Sequence, residues 1–319
     1  MKRILVLILL GACFAAGGRV AAGEGHQFGR SLPIAQPPQN GFVIVPDATN
    51  AIRFRIFTDA TPDAPRLFNT FEIEGYGDLL LQSPAGESLR QWRAAKSSAA
   101  ALHNVLVDGV GPELSAANSM TLTEQAAGPN WAFVALDASR AYRGRLEQYR
   151  RGILFVAPDL LVLHDHVVAK NPVSFQMRLH PPAATRLDPI WRDLSLERPQ
   201  ASLRIHAPSR RELRAWERVE SPADALLPGT LTVQLGPTNQ VAQLDLLTVF
   251  AVKPTGKPTS YAFKLVESNT ATGARIHRDG LPTLVAFRLD PTNASPSLDG
   301  YGFTGPVGVA EFVPKRSLR

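Results

Sequence analysis

The sequence predicts an all-β protein built as a large antiparallel β-sandwich, and three observations carry that reading. Apolar residues from Phe42 onward recur with period 2 or in short unbroken runs, the two signatures of half-buried and fully buried strands. Strand centres follow one another every roughly 10–15 residues, the rhythm of sandwiches and barrels rather than of βαβ units. The 24 Gly and 26 Pro are spread along all 319 residues, which breaks long helices and supplies frequent turns.

The chain opens with an export signal. Met1-Lys2-Arg3 is a short positive region, Ile4 to Leu10 is unbroken and apolar, and Val20-Ala21-Ala22 offers a small-residue cleavage site. Residues 1–22 are therefore expected to be removed, and the protein to be secreted or periplasmic. Leu10-Gly11-Ala12-Cys13 offers an alternative, a lipoprotein box that would anchor the chain to the envelope through Cys13. Either route leaves no further cysteine for a disulfide, a thiolate metal site or a thiol nucleophile. Residues 23–41, with Pro33, Pro37 and Pro38, read as an extended tether, and residues 42–319 as the sandwich.

Within the sandwich, Phe42-Val43-Ile44-Val45 is a short apolar strand. Ile52 to Phe57 alternates, with Ile52, Phe54 and Ile56 on one face and Arg53 and Arg55 on the other. Phe71 to Glu74 alternates again, and Asp78 to Ser83 carries Leu79-Leu80-Leu81. Val105-Leu106-Val107 runs into Asp108-Gly109, a strong hairpin dipeptide. Met120 to Glu124 and Trp131 to Leu136 follow. Gly152 to Val156 and Leu160 to Leu163 flank Ala157-Pro158-Asp159 as a hairpin with a tight turn. Further strands are expected over Val173 to His180, Ser202 to His206, Leu213 to Val219, Leu231 to Leu235 and Leu244 to Val252. The last are Tyr261 to Val266, Ala274 to His277, Leu284 to Leu289 and Val307 to Val313. Helix is credible only around Glu87 to Ala101.

Composition narrows the function classes. With 45% hydrophobic and 19% charged residues the chain can bury a core, so a disordered chain is excluded. No apolar run reaches about 18 residues, which excludes a multi-span helical membrane protein. The net charge is +6, and 27 of the 34 basic residues are arginine. Guanidinium forks match carboxylate and sulfate groups, so an acidic polymer is a candidate partner. Nucleic acid is not expected, because zinc-finger spacing, RNP-like motifs and dense Lys/Arg blocks are absent.

The run from Leu102 to Pro182 resembles a known domain. His103-Asn104-Val105-Leu106-Val107-Asp108-Gly109 is similar to the "HNTxxVDG" strand in the C-terminal β-sandwich domain of heparinase II/III-like polysaccharide lyases. Asp137-Ala138-Ser139-Arg140-Ala141-Tyr142 resembles that domain's "D-x-x-x-A-Y" segment. Arg151 to Asp165, with Leu154-Phe155, Pro158 and Val162 between, is similar to its "R-x-V-L-F-x-x-P-x-x-x-V-x-x-D" hairpin. The resemblance implies a supersandwich-like fold. It also implies an acidic, uronate-containing polysaccharide as partner. Family lyases carry a helical toroid of several hundred residues ahead of the sandwich, which this sequence is not expected to contain. A separately encoded α/α-toroid lyase subunit is then a candidate partner. The family's sandwich also brings an "H-x-H-x-D" strand that binds a metal with the His of "HNT". The corresponding segment, Thr70 to Ser83, has no histidine and keeps only Asp78.

Two functions follow. One is an exported sandwich that binds, or assists the processing of, an acidic polysaccharide. The alternative is an active lyase, stand-alone or one half of a split enzyme, and a structural envelope module is a third possibility. β-Elimination needs a group to neutralise the uronate carboxylate, a base for the C5 proton and an acid for the leaving oxygen. In the resembling region the candidates are His103 and Tyr142 as catalytic groups and Asn104 and Arg151 as substrate contacts. Trp92, between Arg90 and Arg93, is the best stacking platform of the four tryptophans Trp92, Trp131, Trp191 and Trp216. The same His103 and Asn104 could instead satisfy backbone groups at a strand start. No cofactor or metal is expected. The one pattern that resembles a metal site is His164 and His166, which share a strand face, with His180 as a third ligand.

Overall fold

The computed structural model describes residues 34–35, 41–44, 52–57, 70–82, 103–113, 121–142, 144–190, 192–219, 230–258, 260–290, 292 and 295–311. The leader, most of the expected tether, the helix expected around Glu87 to Ala101, Trp92 and Trp191 lie outside them. Strands β1 (Ile34–Ala35), β2 (Gly41–Ile44), β3 (Ile52–Phe57), β4 (Thr70–Gly75) and β5 (Asp78–Leu81) pair in sequence order as one antiparallel sheet. Next come β6 (Val105–Val107), β7 (Thr121–Ala127), β8 (Trp131–Asp137), β9 (Leu146–Val156), β10 (Leu160–Val173) and β11 (Phe175–Leu179). They are followed by β12 (Arg186–Ile190), β13 (Asp193–Glu197), β14 (Ala201–His206), β15 (Glu217–Val219), β16 (Thr232–Leu235) and β17 (Val241–Pro254). The chain ends in β18 (Tyr261–Glu267), β19 (Ala271–Arg278), β20 (Leu281–Arg288), β21 (Ser297–Leu298), β22 (Tyr301–Gly302) and β23 (Val307–Glu311). Among the described residues helix is limited to a 3₁₀ turn at Ser139–Tyr142.

The layers follow from which faces are apolar. The large sheet runs β12-β13-β14-β17-β10-β9-β8-β7, and two smaller sheets run β15-β16-β11-β6 and β18-β19-β20-β23. One core lies between the large sheet and the pair formed by β1–β5 and β15-β16-β11-β6. Phe54 meets Phe155 there at 5.2 Å, and Phe71 meets Phe250 at 5.6 Å. A second core lies on the other face of the large sheet, where Phe133 meets Phe287 at 6.2 Å. The middle layer is thus covered twice, and its central strands read as continuous apolar runs instead of alternating. Leu161, Leu163 and Val167 of β10 enter the first core, while Leu160 and Val162 enter the second.

Outer strands alternate as expected. On β3, Ile52, Phe54 and Ile56 point inward, and Arg53 and Arg55 reach Glu74 and Glu72 across β4 at 3.5 and 2.9 Å. The Asp108-Gly109 turn holds both residues at positive φ, 49° and 76°, as a two-residue hairpin with the strands' own twist requires. Several elements differ from expectation: the two-residue strands β1, β21 and β22 are too short to show a pattern, and β12, β13 and β15 also depart from it. β12 escapes the pattern because it contains Pro189 and is largely exposed at a sheet edge, and β13 lies outside the expected strands although Leu194 and Leu196 alternate inward. Of Leu213 to Val219 only β15 is strand, and Leu213 makes an isolated bridge to Pro237.

Candidate functional site

The hairpin of β9 and β10 fixes the centre of the resembling region. Its register sets Arg151 directly opposite Asp165, and both face the first core. Arg151 and Asp165 are each wholly buried. Arg151 Nε and Nη2 donate to the two Asp165 oxygens at 2.6 and 2.9 Å, a bidentate fork, and Nη1 donates to the His103 carbonyl at 2.8 Å. Tyr149 donates its hydroxyl to the same carboxylate at 3.0 Å. Tyr142, from the 3₁₀ turn, donates to the Val105 carbonyl at 2.5 Å and packs edge-on against Tyr149 at 5.3 Å.

Beside this network the His103 ring lies between Phe71 at 4.8 Å and His180 at 5.4 Å. His103 Nδ1 accepts the His180 backbone N–H at 3.2 Å, and His180 Nδ1 pairs with the Thr232 hydroxyl at 3.2 Å. The Asn104 carbonyl accepts from the Arg178 N–H at 3.0 Å, tying the entry of β6 to β11. His103, Asn104 and His180 are all fully buried. The cluster therefore sits where the large sheet meets the sheets β1–β5 and β15-β16-β11-β6, with contacts drawn from β4, β6, β9, β10 and β16 and from the end of β11.

Electrostatics agree with an interior role. Burial pushes the Tyr142 and Tyr149 hydroxyls well above the usual tyrosine range, which removes them as bases near neutrality. Burial, the neighbouring His180 and the Arg151 charge hold His103 well below the usual histidine range, so its ring is neutral at neutral pH. Burial opposes the Arg151 charge, and Asp165, with Tyr149 and Tyr142, together more than offset it, so the guanidinium stays charged. The sequence candidates His103, Asn104, Tyr142 and Arg151 are thus brought together, and what they do chemically is to bond one another and the backbone. The Arg151 fork is filled by Asp165, so a uronate carboxylate would have to displace it. Asp165 is the partner that sequence reasoning missed. It stands as far beyond Pro158 as Arg151 stands before it, a symmetry that a tight hairpin turns into contact.

His164 and His166 occupy the opposite face of β10. His166 Nδ1 lies 2.7 Å and His164 Nε2 3.4 Å from one oxygen of Asp245 on β17, and His164 packs on Phe287 at 5.3 Å. These contacts hold the Asp245 carboxyl well below the usual range despite the burial that opposes it. His180 is on the other side of the large sheet, so it does not complete a site with them. The two rings converge on a carboxylate oxygen, and no group of three or more His, Cys, Asp or Glu among the described residues is placed to hold a metal ion. Asp78, in the segment without histidines, accepts backbone N–H groups of Gln200 and Ala201 at 2.6 and 3.1 Å and ties β5 to β14.

No family model and no curated protein matches the sequence. Solved structures do match the fold. A mutant form of the heparan sulfate lyase HepC from Pedobacter heparinus superposes with a TM-score of 0.61 at 10% identity, covering 80% of this chain and 42% of the lyase. The unmutated HepC gives 0.59 at 11% identity with the same coverage. Heparinase III gives 0.58 at 13% identity, covering 78% of this chain and 41% of the enzyme. The chain therefore spans less than half the length of the lyases it resembles, and its fold resembles the non-toroid part of heparinase III.

Proposed function

We propose that this protein is an exported β-sandwich that binds acidic, uronate-containing polysaccharide and assists its processing without itself breaking the chain. The observation that carries the reading is the superposition of 80% of this chain on part of the heparan sulfate lyase HepC and of 78% on part of heparinase III. The arginine-dominated positive charge suits such a polymer, and the amino-terminal pattern suits export. Against catalysis by the sandwich stands the burial of His103, Tyr142 and Arg151, each at most 1% exposed. The bond-breaking step then belongs to a partner, for which a separately encoded toroid subunit is the natural choice.

Affinity electrophoresis of the full chain through heparin, heparan sulfate, alginate and polygalacturonate tests this. The expected result is retardation by at least one polymer that weakens with added salt, as exposed charge contacts do. Ultraviolet absorbance of the same mixtures should stay flat, because no unsaturated product forms. Absence of retardation by every polymer at low salt overturns the reading. A rising absorbance that Tyr142→Phe abolishes would establish the lyase alternative in its place.

A further inference from the structure

At one corner of the sandwich two sheet edges face each other. β12 ends the large sheet and β15 ends the sheet β15-β16-β11-β6. Between them lies a groove of about 400 Å³ lined by Leu187, Leu194, Trp216, Arg218, Leu231 and Val233 among others, a volume in the range of small-ligand sites. Its floor is built from the core itself. Leu194, Trp216 and Val233 are at most 3% exposed, and the indole of Trp216 is fixed by donating Nε1–H to the Arg192 carbonyl at 3.2 Å. Thr185 stands in the wall, 6% exposed, with an Oγ1 that has no hydrogen-bond partner.

The rim is cationic. Arg218 pairs in register with Val233, and residues opposite one another across a ladder share a face, so Arg218 stands on the groove side. Glu217 also contributes to the lining, and its carboxylate is engaged by Gln234 Nε2, which donates to it at 2.7 Å. The approach to β15, Arg210-Arg211-Glu212-Leu213-Arg214-Ala215-Trp216-Glu217-Arg218, holds four arginines in nine residues. Arg210 pairs with Glu267, whereas Arg211, Arg214 and Arg218 are exposed and carry no salt bridge among the described residues. Arg214 lines an adjoining hollow with Gln176 and Gln234 on the far side of β15.

An apolar floor alone suits an aliphatic ligand, and unpaired guanidinium groups alone suit any polyanion. The two together select a ligand with C–H faces and anionic edges. We propose that this groove takes a short segment of acidic polysaccharide, with sugar C–H faces against Leu187, Pro189 and Leu231, the accessible apolar residues above the buried Trp216 and Val233, and carboxylate or sulfate groups on Arg218 and, farther along, Arg214. The assignment rests on the polysaccharide-binding reading above and names the site for it.

Binding of a heparin hexasaccharide and an oligogalacturonate to the full chain, followed by calorimetry, tests the assignment, with neutral maltohexaose and poly-glutamate as comparison probes. Arg218→Ala should weaken acidic-oligosaccharide binding about tenfold, the scale of one lost charged hydrogen bond. Pro189→Trp, which fills the groove from its exposed edge, should weaken it at least as much. Arg140→Ala, an exposed arginine on the 3₁₀ turn, should leave it within about twofold, as expected of a charge away from the contact. Matching melting temperatures establish that each variant is folded. If the wild type binds and Arg218→Ala and Pro189→Trp bind equally well, the groove is not the site, although polymer binding stands. Equal binding of maltohexaose or poly-glutamate overturns the ligand class, and a wild type that binds neither acidic probe removes the polysaccharide reading together with the groove.

Discussion

Replacing Arg151 tests whether the motif-bearing residues hold the fold together. Arg151→Met keeps most of the aliphatic stem and removes three hydrogen bonds, two to Asp165 and one to the His103 carbonyl. It leaves a wholly buried carboxylate whose remaining described partner is the Tyr149 hydroxyl. Breaking a buried pair from one side costs about 3–5 kcal/mol, because the surviving charge has lost both water and partner. For a domain of this size that corresponds to a fall in melting temperature of about 10 °C. Asp165→Leu should cost a similar amount by stranding the guanidinium. The double variant Arg151→Met/Asp165→Leu should cost only about 1–3 kcal/mol, chiefly the orphaned His103 carbonyl and Tyr149 hydroxyl, since apolar replacement of a whole buried pair is often near neutral. The two residues should therefore show a coupling energy of several kcal/mol by urea unfolding of all four proteins. A coupling below about 1 kcal/mol, or an Arg151→Met protein that melts with the wild type, would refute the argument.

Three further outcomes follow from the same structure. His103 is held below its unfolded value, so the unfolded chain binds a proton first. Stability should be flat above about pH 6.5 and fall by about 1.4 kcal/mol per pH unit below it, and His103→Asn should flatten that slope in a melting series from pH 7.5 to 5. Asp78→Ala strands the Gln200 and Ala201 N–H groups and should cost about 1–3 kcal/mol by urea unfolding, with Asp78→Asn recovering part if a neutral acceptor suffices. Gly273→Ala places a Cβ 1.9 Å from the Val285 carbonyl oxygen, so β19 and β20 must separate, and melting should drop by several degrees whereas Gly302→Ala, with open space around it, should not.

The strands were legible because their burial is simple. A strand covered on one face alternates, as β3 does, and one covered on both is an apolar run, as β10 and β17 are. β12 was illegible because an edge strand with Pro189 has little to bury. The residues of the resembling region were legible as a group, yet their role was not. His103, Asn104 and Arg151 are of types that can hold a sugar, and nothing in their spacing says whether they face water. The deciding fact is long-range: the layer formed by β3, β4, β6 and β11 closes over β9 and β10 and turns a polar face into an interior one. Asp245 was missed for the same reason, since it meets His164 and His166 across a ladder between strands far apart in sequence.

That closure constrains where any polymer can touch the protein. Both faces of the large sheet are covered at its central strands, whereas β7 and β12 at its two edges are largely exposed, so a chain of sugars must contact outer faces, edges or corners. Many cations outside the core already have partners. Arg53 and Arg55 face Glu74 and Glu72, Arg150 and Arg288 share Glu124 at 2.7 and 2.9 Å, and Arg278 is held by Asp159 at 2.7 Å. A paired surface guanidinium offers a polyanion little, because its own carboxylate competes and repels. Along 211–218 Arg211, Arg214 and Arg218 carry no salt bridge among the described residues, although Glu212 and Glu217 share the segment, and Arg218 stands beside an apolar groove. If the net charge of +6 acted diffusely, substituting any exposed arginine would weaken polymer binding alike. If the corner governs it, Arg218→Ala and Arg140→Ala differ although they change the net charge equally. Their ratio, measured at low and at physiological salt, separates a site from a field: a site keeps the ratio as salt rises, and a field loses both effects together.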